Sequence, residues 1–257
     1  MSPSRSAAVL RTNLLLQVRD PMVHLLMVAV PLVIIPFLIP AAKAQLQAEG
    51  YLHATGAEQV VPGFAVLFSF LSVQQIIMMF FHEYAWGTWD RLRASPATAA
   101  DVLAGKAGVA YAVQLLQLTA VLALGSLLYG YRPAGSLPAL ALVVALFAAA
   151  LCCFGLMIVA FCASMDLALA VSNLVGMLMA GLGGALGPVE SFPDWARTIS
   201  RISPAYWAMD AVRRISLQGA GIGAVGLQLA VLAGFGAAFL AVALVRFRVD
   251  DSKTGDG

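Results

Sequence analysis

Charged side chains are scarce in this chain: Asp, Glu, Lys and Arg make up 11% of its 257 residues, against about one quarter in an ordinary soluble domain. The shortage is concentrated. Six runs, Met22 to Ala42, Val60 to Phe81, Ala107 to Tyr129, Leu137 to Ala163, Leu167 to Gly187 and Val225 to Val245, contain no charged residue. A soluble helix of that length keeps a wet face, so runs like these argue against a water-soluble fold. Each can cross a hydrocarbon core of about 30 Å, which takes about 20 helical residues. Their apolar character is continuous rather than alternating, which argues against a β-barrel. The fold class predicted is an all-α polytopic membrane protein, one transmembrane domain over residues 1–257 with six spans.

Cysteine is equally sparse. Cys152, Cys153 and Cys162 all fall in the fourth run, giving neither a disulfide framework nor zinc spacing, so they read as small apolar packers. A phosphate-binding loop is missing too: the one Gly-Lys, Gly105-Lys106, has Ala100 where the first glycine belongs and Ala107 where the hydroxyl belongs. His82-Glu83 begins a zinc-protease pattern, but Trp86 stands at the second ligand position, so no metal site and no enzyme activity are expected. The net charge of +2 makes no case for nucleic acid. An ion-driven secondary transporter usually carries an ionisable group at membrane depth. Here only His24 approaches a span, one turn from the interface, where a packed neutral ring is the simpler reading.

With the N-terminus in the cytoplasm, Arg5, Arg11, Arg19, Arg91, Arg93, Lys106, Arg246, Arg248 and Lys253 lie inside, nine of the fifteen basic residues. Four of the remaining six share one long outer segment, where basic residues count least, so both termini are expected in the cytoplasm of a cell-membrane protein. The N-terminal region imitates a cleaved signal peptide, but its apolar run is too long and its leader contains Asp20. Residues 4–19 read instead as an interfacial helix, with Ala7, Leu10, Leu14 and Val18 on one stripe. In the first span, Pro31 and Pro36 predict a bend and Pro40 its end. Asp166, in the short turn after the fourth span, reads as a helix cap rather than a proton carrier.

Two connections are too long for turns. Residues 82–106 hold three acids, two arginines and a lysine. Ser95-Pro96 stops the preceding helix, and Thr98 with Asp101 forms a capping pattern, predicting a separate short helix from about Ala99 toward Gly105. Residues 188–223 hold Trp195, Ile199 and Ile202 at helical spacing, then a Ser203-Pro204 helix start. Two short outer, re-entrant helices follow from this, resting either on lipid or in the mouth of the bundle.

These landmarks resemble the permease subunits of type-2 ATP-binding-cassette exporters, a family that includes bacterial drug and polysaccharide exporters. Its inner-loop motif Glu-x-x-x-Gly-Thr-x-Glu-Arg-Leu-x-x-Ser-Pro, ending at Gly-Lys, stands here as Glu83, Gly87, Thr88, Asp90, Arg91, Leu92, Ser95, Pro96, Gly105 and Lys106. A second landmark before the last span stands as Pro193, Trp195, Ser203, Pro204, Trp207, Asp210 and Arg213. Asp90 replaces the usual Glu, Ser203 an Asn, and Trp207 another aromatic residue. The resemblance implies two six-span halves, a second copy or a paralogue, each docked on a separate ATPase subunit that holds ATP and Mg. Glu83, Gly87, Thr88, Asp90, Arg91, Ser95, Pro96, Asp101 and Lys106 would form the coupling segment. It also implies alternating access, with the first, second and fifth spans lining the cargo path.

Gln74, Gln75 and Met78 of the second span, with Asn173 and Met177 of the fifth, are the candidate path residues, and interhelical hydrogen bonds are the plainer use for such amides. Without an intramembrane charge to receive an ion, a hydrophobic or amphipathic cargo is expected: a drug, a natural product or, alternatively, a lipid or lipid-linked polysaccharide. Gly176, Ala180, Gly183, Gly184 and Gly187 form a small-residue stripe for close helix packing, and a dimer seam is the sharper expectation.

Overall fold

A computed structural model describes residues 22–85 and 99–246, with side chains placed for 22–82 and 104–246. The interfacial helix expected over 4–19 and most of the inner motif therefore lie outside the described residues. Eight α-helices follow in order: α1 (Met22–Ala48), α2 (Ala57–Ala85), α3 (Ala99–Tyr129), α4 (Leu137–Phe161), α5 (Met165–Leu182), α6 (Asp194–Ser200), α7 (Pro204–Gln218) and α8 (Gly226–Arg246). Short 3-10 turns at Val189–Ser191 and Ile222–Val225 complete the path. Six of the helices, α1 to α5 and the one ending at Arg246, are long and apolar enough to cross a membrane. Among the described residues there is no strand.

The spans are not equivalent. Two thirds of the membrane-length window is buried in both α2 and α4, but only 11% in α1 and 17% in the last span. The bundle is thus built around α2 and α4, while α1, α5 and α8 leave most of their surface for lipid or a partner.

Local chemistry sets the helix ends. At the start of α2, Thr55 Oγ1 accepts from the Ala57 N–H at 3.2 Å, and the Glu58 carboxylate accepts the N–H groups of Thr55 and Gly56 at 3.0 Å. This reciprocal box satisfies otherwise orphaned donors. Gly56 takes φ +95°, and a Cβ there would sit 2.4 Å from the Ile39 carbonyl oxygen, so this turn onto α1 requires glycine. Ser136 caps α4 by accepting from Ala139 N–H at 3.3 Å. Ser203 caps α7 as predicted, accepting from Ala205 N–H at 3.1 Å, with Pro204 following.

Three expectations about boundaries are corrected. Pro40 does not end the first span: α1 continues to Ala48. Proline removes only its own N–H bond, and in hydrocarbon no water competes for the rest of the ladder. The carbonyl of Leu32 is the one deprived by Pro36, and the Tyr129 hydroxyl donates to it from α3. The cap of α5 is Ser164, which accepts from Leu167 N–H at 3.4 Å; Asp166 stands in the first turn, where its charge complements the helix dipole. Finally, residues 99–105 form no separate helix but the first turns of α3. A glycine inside a helix costs only about 1 kcal/mol, which the packing of a span outweighs.

Candidate functional site

The end of the bundle that carries α6 and α7 is here termed the cap end, and the end where α2 and α3 join through residues 86–98 the loop end. Both gather polar side chains, and a third polar group lies between them.

At the loop end Lys106 is completely buried. Its ammonium donates to the Met79 carbonyl at 2.7 Å and lies 4.7 Å from the centre of the Phe80 ring. A buried cation needs such acceptors and ring faces to offset desolvation. Counted by the resemblance among the docking residues, Lys106 has no surface to offer a partner here and instead ties α3 to α2. Of that set, Glu83 and Asp101 lie on the described backbones of α2 and α3, without described side chains; Gly87, Thr88, Asp90, Arg91, Ser95 and Pro96 fall outside the described residues.

Deeper in the bundle, α2 and α3 are joined by Ser69, Ser72, Gln114 and Gln117. Ser69 and Ser72 donate to Gln117 Oε1 at 3.2 and 3.1 Å, Ser72 also to Gln114 Oε1, and Gln114 Nε2 returns to the Ser69 carbonyl at 2.9 Å. On the other side of α2, Gln74 donates to Asn173 of α5. The candidate path residues are therefore divided. Gln74 and Asn173 meet in an interhelical bond, Gln75 lines a narrow crevice toward α3 with Met79 and Gln114, Met78 is half-buried, and Met177 is 59% exposed on the outer face of α5.

Most of the small-residue stripe packs within the chain. A Cβ on Gly176 would meet Phe70 of α2 at 3.3 Å, Ala180 is fully buried, and one on Gly183 would lie 2.7 Å from the Tyr206 nitrogen of α7. Gly184 supplies the φ of +88° that turns the chain, and Gly187 faces open space. Close approach is what such residues permit, and α2 and α7 use it first.

At the cap end Arg213 is the hub. It pairs with Glu49 at the end of α1 and, at 3.4 Å, with Glu190, and it lies 5.8 Å from the Tyr51 ring. Only 14% of the Arg213 side chain and 23% of that of Glu49 are exposed, so this pair is largely shielded from solvent, while Glu190 stands mostly in the open. Gln45 reaches Ser191 at 2.7 Å and Gln59 the Gly184 carbonyl at 2.9 Å, adding neutral links between α1, α2 and the cap. Asp210 accepts from Arg214 at 3.2 Å and from Gln228 of α8 at 2.6 Å. Tyr131, in the α3–α4 turn, shares a 2.9 Å hydrogen bond with Ser216, and burial pushes its hydroxyl pKa up to about 12.

The predicted outer helices take different roles. Trp195 and Ile202 of the α6 segment are 65% and 66% exposed, and Pro193 precedes them on the surface. By contrast α7 is packed into the bundle, with Pro204 buried and Trp207 Nε1 donating to the Arg201 carbonyl at 2.9 Å. Sequence reasoning found Arg213 but missed Glu49, Tyr51, Gln59 and Glu190. They stand up to 164 residues from Arg213, with no local pattern to mark them.

Six membrane-length helices around a largely apolar interior, with short ion-paired helices at one end, define a multi-pass helical membrane protein. The chain belongs to the ABC-2 type transporter family, whose pattern matches residues 6–217, and is a permease of that type. It is 30% identical over 164 residues to the probable multidrug ABC transporter permease YbhR of Escherichia coli (strain K12), covering 63% of this chain and 45% of that protein. It is 25% identical over 202 residues to the linearmycin resistance permease protein LnrN of Bacillus subtilis (strain 168), covering 76% of this chain and 52% of that one. The chain thus spans about half the length of these curated relatives.

Proposed function

We propose that this permease is the membrane half of an ATP-driven exporter that moves a hydrophobic or amphipathic molecule, a drug or natural product, outward across the cytoplasmic membrane. The family match over residues 6–217 carries the reading, because it runs through both polar landmarks of the chain. Relatives named for multidrug transport and linearmycin resistance support the cargo class. The termini and the loop end face the cytoplasm, in keeping with the excess of basic residues there.

In this reading a separate ATPase subunit, with its ATP and Mg, grips residues 82–106, and a second permease copy or paralogue completes the pathway. A push at the loop end reaches α2 and α3 together, since Lys106 and the serine–glutamine network bind them into one body. Rigid movement of such a pair against its neighbours is a recognised way to carry a signal. The Gln74–Asn173 bond then marks the joint between the moving pair and α5. The cap-end pairs of Arg213 keep the far side shut until the pair shifts.

Co-purification tests this directly. The chain, expressed with candidate ATPase subunits, is expected to isolate as a stable complex whose ATPase rate rises with cargo. Glu83→Arg and Asp90→Arg are expected to abolish that stimulation while leaving the protein in the membrane. Transport that persists without ATP, or normal export by both variants, would falsify the reading.

A further inference from the structure

Between α3 and α4, at the cap end, lies an open trough of about 510 Å³ with almost entirely apolar walls. Leu115, Thr119 and Ala123 line it from α3, and Leu137, Ala141 and Ala145 from α4. On α3 its lining runs from Leu115 to Ser126, a rise of about 17 Å along the helix. That is close to the depth of one leaflet, half of a hydrocarbon core of about 30 Å. The rim is fixed: Tyr131 is bonded to Ser216, and Gly135 is pressed against the Ala220 carbonyl, where a Cβ would meet oxygen at 2.6 Å.

A trough with these walls at this depth excludes water, which needs polar partners, and faces hydrocarbon directly. Arg132 stands between two rim residues, Tyr131 and Pro133, with its side chain exposed. Among the described residues no carboxylate lies within ion-pair distance of it. A long apolar slot one leaflet deep, with a single cation at its mouth, has the shape and charge of one amphiphile. We propose that the trough seats an acyl chain of an anionic phospholipid whose phosphate is held by Arg132. The site faces the bilayer, and it depends neither on the direction of transport nor on the ATPase.

The test uses the full chain in vesicles of phosphatidylcholine and phosphatidylglycerol, with a trace of phosphatidylglycerol bearing a photoreactive diazirine on one acyl chain. Peptide mapping after illumination is expected to place the adducts on residues 115–126 and 137–145. Ala123→Phe and Ala141→Phe fill the trough from exposed positions on opposite walls, and both should abolish these adducts without changing the melting temperature. Arg132→Ala should reduce labelling by phosphatidylglycerol about five-fold, the value of one basic residue at an anionic lipid surface, while a phosphatidylcholine probe is unaffected. Adducts spread evenly over α1, α5 and α8, or a pattern that survives both phenylalanines, would overturn the site. Loss of the adducts on formation of a cross-linked pair would show a second copy of the chain to be the occupant instead. Undiminished phosphatidylglycerol labelling in Arg132→Ala would overturn the headgroup assignment.

Discussion

The two ends of α2 are held by different chemistry. At the cap end the contacts leave no slack: a Cβ on Gly63 would lie 2.0 Å from the Ala185 carbonyl oxygen, Gln59 donates to the Gly184 carbonyl at 2.9 Å, and beside them Arg213 of α7 binds two carboxylates from separate segments. At the loop end α3 reaches α2 through a flexible lysine, whose ammonium rests on a carbonyl and a ring face. Backbone contact tolerates no added atom, whereas at the loop end one buried side chain, with the serine–glutamine network below it, binds α3 to α2.

Gly63→Leu attacks the tight end most severely. The added side chain has nowhere to go, and overpacking of this kind costs about 1 to 3 kcal/mol or more; a large loss of monodisperse protein is expected in size-exclusion chromatography. Next comes Arg213→Ala, which leaves Glu49 and Glu190 without their shared cation. Hydrogen bonds to charged groups contribute about 1.5 to 3 kcal/mol, so a clear drop in melting temperature is expected, with only partial rescue by Arg213→Lys, since an ammonium lacks the planar fork.

The loop end should respond differently. Lys106→Met replaces a buried ammonium, held by the Met79 carbonyl and the Phe80 ring, by an uncharged chain of similar reach, which removes the cost of burying a charge. Its expected effect is on function: thermal stability close to wild type, with cargo-stimulated ATPase activity much reduced in the complex. Equal loss of both would show that the two ends are not distinguished as argued. For the joint between α2 and α5, a double-mutant cycle of Gln74→Leu and Asn173→Leu should give a coupling of about 0.6 kcal/mol, typical of interhelical bonds in membranes.

The smallest effect is one of pH. The folded-state pKa of Tyr131 is raised from 10.0 to about 12 by burial, so folding favours its protonated form. Its contribution is full below pH 10 and is lost as pH rises toward 12. Melting temperatures measured across that window should fall less steeply for Tyr131→Phe than for wild type. At neutral pH the variant should be destabilised by about 1 kcal/mol through the lost hydrogen bond to Ser216.

Much of the bundle could be read directly from the chain because a bilayer imposes a length and a polarity that few other environments do. All six spans, the Ser203-Pro204 helix start and the packing role of the cysteines follow from that constraint. What escaped were decisions made by neighbours. Pro40 looks like a terminus until the surroundings hold the helix together, and Gly105 looks like a boundary until α3 is seen to pack through it. The glycine stripe announced close contact but not which helices make it, and α2 and α7 do so at Gly176 and Gly183. Likewise Arg213 was marked by a motif, while Glu49 and Glu190 carry no mark that sequence spacing could reveal.

The hydroxyl of Tyr129 answering the Leu32 carbonyl has a consequence for how α1 is aligned. An imino acid in a span strips one specific oxygen of its donor, and that oxygen points in one direction only. Successive residues turn by about 100°, so shifting Pro36 by a single position would aim the orphaned oxygen away from Tyr129. The proline thereby acts as a keyway for its neighbour, setting the rotation of a weakly packed outer helix where side-chain interlocking alone would leave it loose.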